Sequence, residues 1–261
     1  MALSFVNSFQ SEWLKTKRSA ASWLVLIGGC FIPLIMLAAA FVNFGSLKKV
    51  YDTGTFWQTY NTHCWQFMAL FLLPMGVILA TSLITQLEYK NNTWKQLYTT
   101  PQKLLTIFFT KLAVIVTMML QFFLIFNIGI YLSGIIPCLL FREIPFPKEP
   151  FPFIHILQYN AEFFLDCLPV IALQYLISLH YKNFLVAVGV GMAFLLAALF
   201  AVQWEYGYIV PYTYCMLNYL GKEVFESSYF QHINIHFLAV LYFVVFTIAG
   251  YIMYITKKEK G

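Results

Sequence analysis

Two carboxylates, Glu162 and Asp166, stand one helical turn apart inside an otherwise apolar run. Ionisable groups in such a setting are costly to keep and are functional candidates by default. At that spacing they could line an exit path through the protein or receive a cationic substrate. The alternative is that residues 151–168 form a re-entrant or interfacial helix that leaves both acids in water. His232 and His236 repeat the i, i+4 spacing, which puts two imidazoles on one helix face as in some metal sites. Glu226 is near in sequence, but HExxH and a clear third ligand are missing. The expectation is an interfacial pair of histidines and no metal. No Ser/His/Asp or Cys/His set has the local context that nucleophilic catalysis needs. Cys30, Cys64, Cys138, Cys167 and Cys215 are scattered, odd in number and without CxxC. Free thiols fit them better than a disulfide or metal framework.

The elements that carry these residues are set by composition. Hydrophobic residues make up 61% of the 261 and charged residues only 10%, with a mean hydropathy of +0.72. A soluble domain carries about 25% charged residues, so this chain cannot cover a water-facing surface and is read as an integral membrane protein. The aromatic share, 19%, suits lipid-facing and interfacial helix surfaces. Basic residues lie between apolar runs rather than in one patch, which argues against nucleic acid as a partner. The first apolar run, starting near Ser22, is too long for the ~7–15-residue core of a cleavable signal.

A hydrocarbon core of ~30 Å needs about 20 helical residues. Six runs qualify, at approximately 22–44, 64–86, 106–138, 155–179, 184–203 and 237–256. They are continuously apolar rather than alternating, which excludes β-barrel strands. The fold class expected is therefore all-α: one membrane domain over residues 1–261 with six transmembrane helices. The Lys/Arg asymmetry sets orientation. With the N-terminus inside, ten basic residues (Lys15, Lys17, Arg18, Lys90, Lys95, Lys103, Lys182, Lys257, Lys258 and Lys260) are cytoplasmic and five are outside. Both termini are then cytoplasmic. Lys111 falls within the third run, and its ammonium is expected to snorkel into water.

Two polar segments on the cytoplasmic side are helix-compatible. Residues 3–18 place Phe5, Val6, Phe9 and Trp13 on one face, with Lys15, Lys17 and Arg18 turned away. That pattern suits an amphipathic helix lying in the inner interface. In LEYKNNTWKQLYTTPQKLL, Thr93 and Gln96 form a capping box able to start a helix at Trp94. Asn91 and Asn92 suit a turn, and Pro101 ends the helix by biasing Thr100 out of the helical region. On the other side, Pro145, Pro147, Pro150 and Pro152 stiffen one loop. Trp204, Tyr206, Tyr208, Tyr212, Tyr214 and Tyr219 fill another, read as an interfacial belt or a lid at the outer mouth.

The stretch EYKNNTWKQLYTTP, from Glu88 to Pro101, followed by Lys111, resembles the permease subunit of ABC-2 type transporters. In that family an acid ends the second span, and a short turn and helix, a Pro and then a Lys follow. Asn92 stands where the family often has Gly. The spacing of Phe9, Glu12, Lys15 and Arg18, beside Trp13, resembles the family's N-terminal amphipathic helix. The resemblance implies that residues 88–101 are the coupling helix that docks on a separate ATPase. Trp94 and Leu97 would be its apolar contacts, Lys95 and Glu88 its polar ones, and Asn92, Thr93 and Pro101 would shape it. The chain has no G-x-x-x-x-G-K-[ST], so ATP and Mg²⁺ would sit on the partner ATPase. The permease would be half of a homo- or heterodimer in a bacterial cytoplasmic membrane, contacting lipids and exporting a hydrophobic or amphipathic cargo such as a lipid, drug or antimicrobial peptide. Bacterial permeases that confer immunity to lantibiotics and other membrane-active peptides have this size. Two rival readings are an intramembrane enzyme using Glu162, Asp166 and the histidines, and a non-transporting membrane scaffold or sensor.

Overall fold

A computed structural model describes residues 2–42, 51–52, 54–90, 103–181, 183–224 and 234–256. It is all-α, and no strand occurs among the described residues. Among the described residues six helices are long and apolar enough to cross a bilayer: Ala20–Val42, Phe56–Leu87, Leu104–Leu140, Phe153–His180, Phe184–Ala201 and Ile235–Thr256 (spans 1 to 6). A helix over Ala2–Thr16 precedes span 1, and a short helix, Tyr214–Val224, lies between spans 5 and 6. An even number of crossings returns the chain to the side on which it starts.

Span 1 follows the N-terminal helix after a tight turn. Ser19 caps it, its hydroxyl accepting from the Ala21 amide at 3.2 Å while donating to Thr16 O at 2.8 Å. Pro33 inside span 1 leaves a flat spot that Gly129 of span 3 fills. A Cβ on Gly129 would come within 2.7 Å of Pro33 Cγ, so only glycine permits this approach.

Span 2 begins at Phe56, eight residues before the apolar run that hydropathy marks at 64. Its first turns, FWQTYNTH, are too polar to be read as membrane. They are held by packing: Phe56 and Trp57 join Tyr51, Cys138 and Ile144 in a small apolar cluster. Tyr51 is buried there and donates to Gly134 O at 2.8 Å. Burial pushes its phenol pKa up, so it remains a donor. Within span 2, Met68–Leu72 widen into a π-helical turn. Pro74 follows, with no N–H to donate and a ring that would strike the carbonyl of residue 70. A wider turn relieves that conflict.

Span 3 has 37 residues, about 55 Å of helix, well beyond a hydrocarbon core. Span 4 is the most enclosed: 72% of its most apolar stretch is buried, against 17% for span 6. It is therefore the hub on which the others pack. Two of its polar side chains, Asn160 and Gln174, bond to neighbouring spans. Asn160 and Asn127 of span 3 exchange amide hydrogen bonds at 3.0 and 3.1 Å. Gln174 donates to Ser82 Oγ of span 2 at 2.8 Å and to Ala187 O of span 5 at 2.9 Å.

The aromatic segment after span 5 does not form a surface belt. Trp204 and Tyr206 are exposed, but Tyr212 and Tyr214 are fully buried. The chain folds back through two 3₁₀ turns, Gly207–Ile209 and Pro211–Thr213, so that Tyr212 stacks on Phe194 of span 5 and donates to Gln174 Oε1 at 3.3 Å. Tyr214 donates to Tyr208 O at 2.9 Å.

Candidate functional site

The cytoplasmic candidates fall into two groups. Residues 91–102 lie outside the described residues, and with them Asn92, Thr93, Trp94, Lys95, Leu97 and Pro101. Glu88 belongs to the last turn of the helix Leu73–Lys90, which carries span 2 up to that segment. Span 3 resumes at Leu104 on its other side.

The second group is the N-terminal helix. Its residues 8, 12 and 16, one face at i, i+4 and i+8, are the buried ones: Ser8, Glu12 and Thr16. This polar stripe packs on the start of span 3. Ser8 Oγ lies 3.3 Å from Thr110 Oγ1, and Glu12 Oε2 lies 4.0 Å from Lys111 Nζ, with both side chains enclosed (8% and 3% exposed). Lys15 closes on the other Glu12 oxygen. Lys111 therefore does not snorkel into water as its position in an apolar run suggests. It turns inward to an acid 99 positions earlier, since a buried ammonium is far better held by a carboxylate than by a lipid-lined path to water. Phe9 and Trp13 stack at 6.2 Å between centroids and pack on the core. Phe5, Val6 and Leu14 are exposed apolar side chains, and Lys15, Lys17 and Arg18 are exposed around the exit turn. The side that docks on the bundle thus combines the polar stripe with the apolar pair Phe9 and Trp13.

Glu162 and Asp166 share span 4 but differ in setting. Glu162 is half-buried, whereas Asp166 is fully enclosed. One Asp166 oxygen accepts from Asn218 Nδ2 at 2.8 Å, and the other lies 2.8 Å from His236 Nδ1 in the first turn of span 6. A carboxylate bonded on both oxygens satisfies its burial. It ties three elements together: span 4, span 6 and the short helix Tyr214–Val224. On the same helix, Cys215 Sγ lies 3.5 Å from Cys167 Sγ and Tyr219 donates to Thr62 O at 3.2 Å. Periodicity paired His236 with His232, which lies outside the described residues together with Glu226. No cluster of three or more His, Cys, Asp or Glu suited to a metal occurs among the described residues.

What sequence reasoning missed are partners on other helices: Glu12 for Lys111, His236 and Asn218 for Asp166, Asn160 for Asn127. Their only signal in the sequence is a polar residue inside an apolar run.

Comparison with known proteins adds one finding. The model of a family described as ABC-2 family transporter protein matches residues 8–198, from the polar stripe of the N-terminal helix almost to the end of span 5. No curated protein and no solved structure matches the chain.

Proposed function

The chain belongs to the ABC-2 family of transporter proteins, an integral membrane subunit of an ABC transport system, and on that premise we propose how it works and with what. It is the permease of an exporter whose ATP and Mg²⁺ are bound by separate ATPase subunits. Two permease subunits, identical or different, form the membrane unit in a bacterial cytoplasmic membrane. The cargo is hydrophobic or amphipathic: a lipid, a drug or a membrane-active peptide. Residues 88–101 receive the ATPase, with Trp94 and Leu97 as apolar contacts and Lys95 and Glu88 as polar ones.

The observation that carries this reading is the enclosed Glu12–Lys111 pair. The segment joining spans 2 and 3 is short, so a displacement imposed on it enters span 3 at its first turn. Lys111 lies two turns further on, and there the N-terminal helix is fastened by the ion pair and by the Ser8–Thr110 contact. The helix and the start of span 3 then move together. A surface pair would not serve, because exposed ion pairs contribute little and are screened by salt.

Affinity purification of the chain from mild detergent tests the assignment. A co-purifying ATPase with a Walker motif is expected. Trp94→Asp and Leu97→Asp should insert normally yet lose that ATPase or its cargo-stimulated hydrolysis. Full assembly and transport in both variants would refute the docking role.

A further inference from the structure

Spans 1, 2 and 3 enclose a cavity of about 220 Å³. Its wall is made by Leu24 and Gly28 of span 1, by span 2 from Met68 to Thr81, and by Met118 and Phe122 of span 3, with almost no polar surface. Two of its lining residues, Ile27 and Phe31, are 59% and 46% exposed on the outer face of span 1. The cavity is therefore open at the outer face of a membrane-spanning helix, a face that acyl chains reach from the side.

Three features of the wall bear on an occupant. At about 30 Å³ per methylene-sized group the space holds roughly seven carbons, more than the benzene taken up by an apolar cavity of about 150 Å³. Met68, Met75, Met118 and Met119 supply flexible, polarisable packing that adapts to a chain. Thr81 is fully buried and lines the space, and its hydroxyl has no hydrogen-bond partner among the described residues. Threonines inside helices usually bond back to the carbonyl one turn earlier. Thr85, Thr110 and Thr117 all do so, at 2.7–2.8 Å. Thr81 does not, which leaves a donor in an apolar wall where nothing in the protein uses it.

We infer that this cavity is a binding site for one acyl chain, which enters sideways from the bilayer between spans 1 and 2 and whose polar end is met by the Thr81 hydroxyl. Because lipid tails are as apolar as leucine, no hydrophobic gain draws the chain in from the membrane. Its residence comes from filling a void that would otherwise forfeit dispersion contacts, and its orientation from the hydrogen bond. Gly76 keeps the space open. A Cβ built on it meets no atom within 4 Å, so a side chain there would occupy the cavity without a clash. The inference stands apart from the ATPase-driven reading, since occupancy needs neither partner nor ATP.

The test is photolabelling of the full chain in phosphatidylcholine–phosphatidylglycerol vesicles, with adducts mapped by mass spectrometry. One arm carries a phospholipid with a mid-chain diazirine, the other a free fatty acid with the same group. Adducts are expected to concentrate on Met75, Met118 and Met119. Gly76→Phe should reduce them at least fivefold, and Gly76→Leu serves where the phenylalanine variant melts early. Thr81→Val removes one hydrogen bond and should lower them about two- to tenfold. Gly189→Phe, on the open face of span 5 where a Cβ also meets nothing, should leave them unchanged. Labelling by the phospholipid identifies a bilayer lipid as the source, and labelling by the fatty acid alone identifies a single-chain amphiphile of the cargo type. Adducts spread over exposed faces such as Phe194 and Ile248, insensitive to both Gly76 variants in both arms, would overturn the inference.

Discussion

The Glu12–Lys111 contact makes a quantitative demand on the N-terminal helix. At 4.0 Å and an effective dielectric of 20, the Coulomb attraction is about 4 kcal/mol. Removing one partner of a buried pair typically costs about 3–5 kcal/mol. Glu12→Gln takes the anion from Lys15 and Lys111 at once, but glutamine keeps an oxygen that can accept, so about 2–3 kcal/mol is the reasonable expectation. Spent on holding the helix against span 3, that amount raises the undocked population about 30- to 150-fold. Ser8 reports it directly, because it is buried in the docked helix (4% exposed). Ser8→Cys should react slowly with a water-soluble maleimide, and Glu12→Gln should accelerate it by that factor. Asn7→Cys, on the exposed side, should react fast with or without the change. The double variant Glu12→Gln/Lys111→Met removes both charges and should return most of the protection. Ser8→Cys rates within twofold of each other across these backgrounds would refute the clamp.

Three further outcomes follow from the same contacts. Asp166→Ala removes the shared partner of the half-buried His236 and Asn218 and should lower stability by about 1–3 kcal/mol, read as an early thermal transition in detergent, with Asp166→Asn milder. Gly129→Ala drives a methyl to within 2.7 Å of Pro33 Cγ. It should cost about 1–3 kcal/mol, whereas Gly189→Ala, in open space on a helix, should leave the melting temperature level or raise it. Asn127→Leu leaves the Asn160 amide without its cross-span partner. A loss of about 0.6–1.7 kcal/mol is expected, largely restored in Asn127→Leu/Asn160→Leu, and a double variant as unstable as the single would show that the pair is not what holds spans 3 and 4.

The six spans were legible because the bilayer imposes one strong rule, continuous apolarity over a fixed length. Where the rule weakens, the reading fails. Residues 56–63 are polar enough to pass for a loop, yet they extend span 2 because Phe56 and Trp57 find Tyr51 and Ile144 in another part of the chain. The amphipathic pattern of residues 3–18 located a helix but not its docking side. Hydrophobicity marks Phe9 and Trp13, which do pack on the core, but gives no sign that the polar Ser8, Glu12 and Thr16 are the most deeply docked. Spacing arguments see neighbours one turn away on the same helix. They grouped Glu162 with Asp166 and His232 with His236, whereas the bonds run from Asp166 to His236 across 70 positions. Lys111 was read alone and assigned to water for the same reason.

The polar contacts of span 3 also constrain how it can move. Near its start, Tyr175 of span 4 donates to Phe108 O at 3.1 Å. Further along, Asn127 and Asn160 pair. The two ties are 19 positions apart, about 28 Å along the helix, and both reach span 4. A helix pinned to one neighbour at two heights cannot tilt away from it without breaking a buried hydrogen bond at one end. Rolling about the line that joins the ties breaks neither. Span 1 is seated on span 3 through Pro33 and Gly129 and the N-terminal helix through Glu12 and Lys111, so both are carried with the roll. Span 2 is divided: Ser82 and Gln86 bind one half to span 4 and the residue that follows it, through Gln174 and Tyr181 O, while Tyr60 in the other half donates to Ser133 Oγ of span 3 at 2.9 Å. The cavity lies between the set that rolls and the half of span 2 that stays with span 4. A push delivered at the start of span 3 therefore changes the shape of that apolar space while both ties of span 3 to span 4 hold.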